Sequence, residues 1–92
     1  EVQYEYRRSA MDSLVLTNRQ LAMALKARRK SLGLTQVQAA SRVGLLPKTI
    51  SALEARPERA SVESLYKYLS ALDMEVYLHR KEDTHTPGAG EW

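Results

Sequence analysis

The sequence predicts an all-α fold with one short strand: four short helices, then the strand, then a polar tail. Three observations carry that expectation. Apolar residues recur at helical spacing through four segments; a small-residue and glycine pattern at 36–55 joins two of them steeply; and the period changes to two at Met74. With 92 residues the chain makes one small domain with loose ends. So small a chain buries a modest fraction of its surface, which makes dimerisation an expected extra source of stability.

Residues 1–16 read as an N-terminal extension. Val2, Tyr4 and Tyr6 alternate with polar residues, a short strand signal, but Arg7-Arg8-Ser9 follows without a partner. Met11 is a candidate natural start, with what precedes it vector-derived. The helical domain is expected over 17–73. Thr17 or Asn18 can cap a first helix running to about Leu32, with Leu21, Ala24, Leu25, Arg28 and Leu32 at helical spacing and Gly33 ending it. Thr35 caps the second helix, with Gln38 three residues on as capping-box partner, and that helix runs to about Val43. The third runs from Pro47 to about Ala55, where Arg56-Pro57 stops it. Ser61 opens a fourth, whose apolar positions are Val62, Leu65, Tyr66, Leu69 and Leu72.

The second and third helices read together as a helix-turn-helix. Two short helices crossing steeply need a small residue where their backbones approach, and Ala40 stands there. The turn needs a residue that tolerates positive φ, and Gly44 supplies it. Ile50 and Leu53 put one apolar stripe on the helix that follows, and Pro47 fits its first turn, where a missing N–H costs nothing. Ile50, Leu53, Ala40, Val43, Leu25 and Leu69 are expected in the core. Such a unit serves mainly to present the exposed face of its second helix to the DNA major groove.

From Met74 to Lys81, Met74, Val76, Leu78 and Arg80 alternate with Glu75, Tyr77, His79 and Lys81. A lone strand ending a helical domain has unpaired backbone groups and an apolar face to hide. Pairing with the same strand of a second copy about a two-fold axis meets both needs, which makes Met74, Val76, Tyr77 and Leu78 candidate dimer contacts. A frayed extension of the fourth helix is the alternative. Residues 82–92 are a polar tail expected to be flexible, ending on Glu91 and Trp92, the only Trp.

Composition narrows the function further. There is no Cys, so neither a disulfide framework nor a thiolate zinc site is possible, which fits a reducing cytoplasm. No apolar run approaches the roughly 20 residues that span a bilayer, and the N-terminus lacks a secretory h-region. The net charge of +3 conceals an asymmetry. Between Ser13 and Leu53 stand seven basic residues (Arg19, Lys26, Arg28, Arg29, Lys30, Arg42 and Lys48) and no acidic one. Positive charge therefore gathers around the helix-turn-helix, where phosphate contacts would need it. A basic solvated face is the bland alternative.

Thr35-Gln36, Ala40, Gly44, Thr49-Ile50-Ser51 and Glu54 resemble the motif of Xre/Cro-type helix-turn-helix proteins over roughly residues 19–73. More narrowly, the chain looks like the HipB-type antitoxins, on its short Thr-Ile-Ser recognition helix, its Met-Glu-Val-Tyr-Leu strand after the fourth helix and its polar tail ending in Glu-Trp. This resemblance implies a homodimer on a palindromic operator near its own gene. It also implies a partner toxin of the HipA-like serine/threonine kinase type, held inactive in the complex.

In such a domain the N-terminal end of the third helix enters the major groove. Lys48 is the best candidate for a base contact, donating to guanine O6 or N7. Thr49 and Ser51 can reach base edges or phosphate. Leu46 and Pro47 depart from the polar residues common there in the family; Leu46 either meets a thymine methyl or packs inside. Gln36 is placed for a phosphate at the start of the second helix, with Gln38 beside it on the same turn. Arg28, Arg29, Lys30 and Arg42 are expected to set affinity, through phosphates, more than sequence choice. A two-fold dimer would read half-sites about one helical turn, roughly 34 Å, apart.

The tail has two readings: an inert frayed end, or an anchor that inserts the Trp92 indole, with Glu91, into a pocket on the toxin. An enzyme is not expected. His79 and His85 are the only histidines, with no nucleophile-base-orienter set and no persuasive metal site. Glu54, Glu58 and Glu63 read as solvated or capping charges. No cofactor, small-molecule ligand or membrane partner is expected. The rival reading is a stand-alone Xre-family repressor, or a restriction-modification controller protein, with no toxin.

Overall fold

Thr17 turns extended backbone into helix by a reciprocal pair of bonds. Its hydroxyl accepts from the Gln20 amide at 3.1 Å, while the Gln20 side-chain oxygen accepts from the Thr17 amide at 3.1 Å. The same device recurs at Thr35 and Gln38, at 3.0 and 2.9 Å. These local signals set the starts of the first two helices in a computed structural model that describes residues 12–81. The helices are α1 (Asn18–Ser31), α2 (Gln36–Val43), α3 (Pro47–Ala55) and α4 (Val62–Ala71), with a single 3₁₀ turn at Pro57–Arg59 between the last two. The four starts and the first three ends fall within a residue or so of those expected from sequence.

Three helices end alike. After α1, Gly33 takes φ 73° and the Leu34 amide reaches back to the Arg29 carbonyl; after α2, Gly44 takes φ 70° and Leu45 reaches Ala40. After α4 the left-handed residue is Asp73, at φ 55°, and Met74 reaches Leu69. This is the Schellman pattern, which satisfies carbonyls left over at a helix end. Aspartate is among the few side chains that tolerate the left-handed region.

Helix α3 is the hub: α1 and α2 both pack on it, and α2 and α3 both touch α4. The buried core is Leu25 from α1, Ala39 and Ala40 from α2, Ile50 and Leu53 from α3, and Tyr68, Leu69, Ala71 and Leu72 from α4 and its cap. Each fully buried aliphatic side chain contributes about 1.5–3 kcal/mol relative to exposure. Ala39 and Ala40 let α2 approach closely, and both are almost completely covered. Val43 only half-covers the same cluster from its edge.

One expectation is corrected. On α4, Val62 and Tyr66 face outward, 64% and 56% exposed, and Tyr68 fills the core instead. The helix is turned so that the Tyr68 hydroxyl can donate to Glu54, a polar partner that an apolar-spacing argument does not see. Among the described residues there is no strand ladder; the pairing expected of residues 74–81 is with a second copy of the chain. A ladder needs a second strand, and this domain offers none. Met74 turns inward against the domain's own core, whereas Val76, Tyr77 and Leu78 stay exposed. Leu14 and Leu16, in the part of the N-terminal extension that is described, are exposed on chain without helix or strand. The expected strand signal at Val2–Tyr6, and Glu91 and Trp92 of the tail, lie outside the described residues.

Candidate nucleic-acid interface

The turn between α2 and α3 delivers the start of α3 to the surface. Gly44 sets the angle, Leu45 packs inward, and Leu46 follows as N-cap in extended conformation. The Leu46 side chain can cap nothing, and at 58% exposed it does not pack inside the domain. Pro47 occupies the first helical position. Lys48 and Ser51 are exposed and Thr49 is half-buried, while Ile50 and Leu53 hold the opposite face in the core. An amphipathic helix is thereby fixed from behind and free in front. Lys48 and Thr49 also border a shallow groove with Arg59, Ser61 and Ser64 from the 3₁₀ turn and the start of α4. Arg59 is a cation beside the recognition helix that the sequence argument passed over, because it lies outside the acid-free stretch.

Gln36 sits where α2 begins, and its amide donates to the Glu54 carboxylate at 3.2 Å. The Gln38 side-chain oxygen is held by the Thr35 amide in the capping box. Both residues stand on the first turn of α2, and the Gln36 bond joins that turn to Glu54 near the end of α3.

The three arginines each have a partner inside the domain. Arg29 was expected on a phosphate but is buried, with Nε and Nη2 donating to the two Glu54 oxygens at 2.6 and 2.9 Å and Nη1 to the Leu34 carbonyl at 2.8 Å. A guanidinium so engaged has no free edge for DNA. Arg28 donates to the Leu72 carbonyl at 2.9 Å and Arg42 to the Ala71 carbonyl at 3.0 Å. Both therefore aim at the end of α4, not at the recognition helix. Counting charges along the chain cannot distinguish a phosphate from a helix C-terminus, since both attract cations.

Glu54 was read as solvated, yet its side chain is only 4% exposed. It accepts from Arg29, from Gln36 and from the Tyr68 hydroxyl. Burial alone would push its carboxyl up; the hydrogen bonds from Arg29, Tyr68 and Gln36, with the Arg29 charge, outweigh that and hold it below the usual range. The Tyr68 phenol is pushed well up, by burial first and then by the carboxylate it donates to. The Glu54 bond raises Arg29 above its ordinary value. A signal was present: Glu54 follows Ile50 by four, which places it on the buried side of α3. This network ties the reading helix to α1, α2 and α4 at one point.

Among the described residues no group of three His, Cys, Asp or Glu side chains could hold a metal ion, and no helix is long and apolar enough to cross a membrane.

A helix-turn-helix family model, HTH_3, matches residues 25–77. Antitoxin HipB of Escherichia coli O6:H1 is 36% identical over 59 residues, 64% of this chain and 63% of that protein. Antitoxin HigA1 of Mycobacterium tuberculosis is 38% identical over 60 residues, 65% of this chain and 40% of that protein. The chain thus spans less than two thirds of the length of either relative. Among solved structures, a chain of the HipA-HipB-O2-O3 complex shares the fold with a TM-score of 0.71 and 29% identity, covering 75% of this chain and 97% of that one.

Proposed function

The chain belongs to the helix-turn-helix family, and on that premise we propose that it is a DNA-binding antitoxin of the HipB type. Its α3 reads an operator, two copies acting on two half-sites of a palindrome near its own gene. Its second partner is a HipA-like serine/threonine kinase toxin, which it binds and neutralises. It works in the cytoplasm, on the nucleoid, and carries out no catalytic step itself. The observation that carries this reading is the agreement of sequence and fold on HipB: a curated HipB and a chain from a complex containing HipA both align with this domain.

The DNA contacts fall to Lys48, Thr49, Ser51, Leu46 and Pro47 at the start of α3, with Gln36 and Gln38 at the start of α2. Lys48 donates to a guanine edge, and Leu46 lies against a thymine methyl. Val76, Tyr77 and Leu78 supply the dimer contact through pairing of the 74–81 segments. Glu91 and Trp92 anchor the toxin, a large indole being a common hot spot in such contacts.

The test is to express the full chain, and a version ending at Gly90, in cells that carry its natural neighbours. A kinase-like protein that copurifies with the full chain and is lost with the shorter one supports both the antitoxin reading and the tail anchor. Retention by both moves the toxin contact to the folded domain. If only DNA is retained, the protein is a stand-alone repressor and the antitoxin reading is wrong.

A further inference from the structure

Two guanidiniums from different helices converge on the last carbonyls of α4. Arg28, on α1, donates from Nε to the Leu72 carbonyl at 2.9 Å, and Arg42, on α2, from Nη1 to the Ala71 carbonyl at 3.0 Å. Those carbonyls belong to a helix end with no basic residue of its own in the last turn. Immediately beyond them Asp73 takes the left-handed conformation, and Met74 is fixed by the hydrogen bond its amide donates to the Leu69 carbonyl and by packing on the core. The segment with exposed Val76, Tyr77 and Leu78 starts from that point.

From this we infer that Arg28 and Arg42 are positioning residues for the dimer: they clamp the exit of α4, fix the direction in which residues 74–81 leave the domain, and so set the half-site spacing. The clamp rests on the proposal that this segment joins two copies on DNA. A helix C-terminus carries partial negative charge and unpaired carbonyls, so two cations there hold it without touching DNA. The arms also connect the three elements that matter. Arg42 sits on α2 and Arg28 on α1, one residue before the Arg29 that grips α3 through Glu54. Orientation of the reading helix is thereby carried to the exit of the dimerisation segment through side chains rather than through a flexible linker. A chain whose exit swivelled would still bind one half-site. It would lose its preference for one separation between two.

The experiment takes duplexes selected by the full-length wild-type chain from a random pool. It measures binding to that site, to a single half-site, and to versions whose half-sites are moved apart or together by one or two base pairs. The wild-type chain should prefer its own spacing by about tenfold, and Arg28→Ala/Arg42→Ala should prefer it by less than about threefold. Half-site affinity and its salt dependence should match wild type, which also shows that the variant is folded. Should the double variant fail to fold, Arg42→Ala alone, at an exposed position, is read in the same way. If the variant weakens on every duplex alike and its half-site salt slope falls by about two, the arginines contact phosphates and the clamp is overturned. A variant that keeps the wild-type spacing profile also overturns the clamp, leaving the dimer intact. A wild-type profile with no spacing preference overturns the dimer reading and the clamp with it.

Discussion

Arg29 and Glu54, 25 positions apart, face each other through two parallel hydrogen bonds of 2.6 and 2.9 Å and join α1 to α3. The fork-on-fork arrangement is the strong form of an arginine-carboxylate contact. Its worth depends on being complete. Gln36 and Tyr68 add further donors to the same carboxylate, and no buried side-chain polar atom among the described residues lacks a partner.

Glu54→Gln should therefore lower stability by about 3 kcal/mol at neutral pH, because it leaves a buried guanidinium without its counter-charge. The Glu54 carboxyl is held below its ordinary value near 4.5, so its contribution is fully present above that value. It fades as pH falls through the lower, folded-state value. Urea denaturation of both proteins between pH 7 and pH 3 should show the gap closing only at the acid end. A gap that closes already between pH 7 and 6 would contradict the assignment.

At the DNA face, Lys48→Ala should cost about 1–3 kcal/mol on a selected operator, and much less on random DNA. Lys48 is exposed, so thermal stability should hardly move. Fluorescence anisotropy with both duplexes decides the matter. An unchanged ratio between them removes Lys48 from the reading residues.

Leu46 offers a case where stability and function should part. It is an N-cap without a capping side chain, so Leu46→Ser should gain about 1 kcal/mol by satisfying an orphan amide of α3. The same change removes the apolar contact expected at the groove. Calorimetry should show a higher Tm while operator affinity drops; a rise in both would place Leu46 outside the interface.

Gly44 and Asp73 make a matched pair. Nothing lies within 4 Å of a Cβ added at Gly44, so Gly44→Ala meets only the backbone cost of φ 70°, about 1–2 kcal/mol, and Gly44→Asn should recover part of it. Asp73→Gly should stabilise slightly, for the converse reason. Equal stability of wild type and Gly44→Ala would mean that the turn relaxes out of the left-handed region.

The helices were legible because their ends are written locally. Thr17 with Gln20, Thr35 with Gln38, Gly33, Gly44 and Pro47 each act within a few residues, and a sequence displays such pairs directly. The exposed face of α3 was legible for the same reason, being whatever Ile50 and Leu53 do not bury. What stayed hidden depends on partners far along the chain. Arg29 looks like any other basic residue until Glu54 is seen opposite it, and Arg28 and Arg42 look alike until the end of α4 is placed between them. The preference of α4 for Tyr68 over Tyr66 follows from a hydroxyl's need for a carboxylate, a polar criterion applied inside an apolar pattern.

The contrast between locally written helix ends and one buried ionic knot has a consequence in time. Short helices whose caps close within three residues can form early, and helical domains dominated by near-neighbour contacts fold in microseconds to milliseconds. Two charges are not stripped of water until the surrounding chain has closed, so the Arg29–Glu54 pair belongs to the last step of assembly. Weakening it should leave the folding rate nearly unchanged and shorten the lifetime of the folded state. The knot is thus a brake on unfolding, and how long the domain stays folded is set at Glu54.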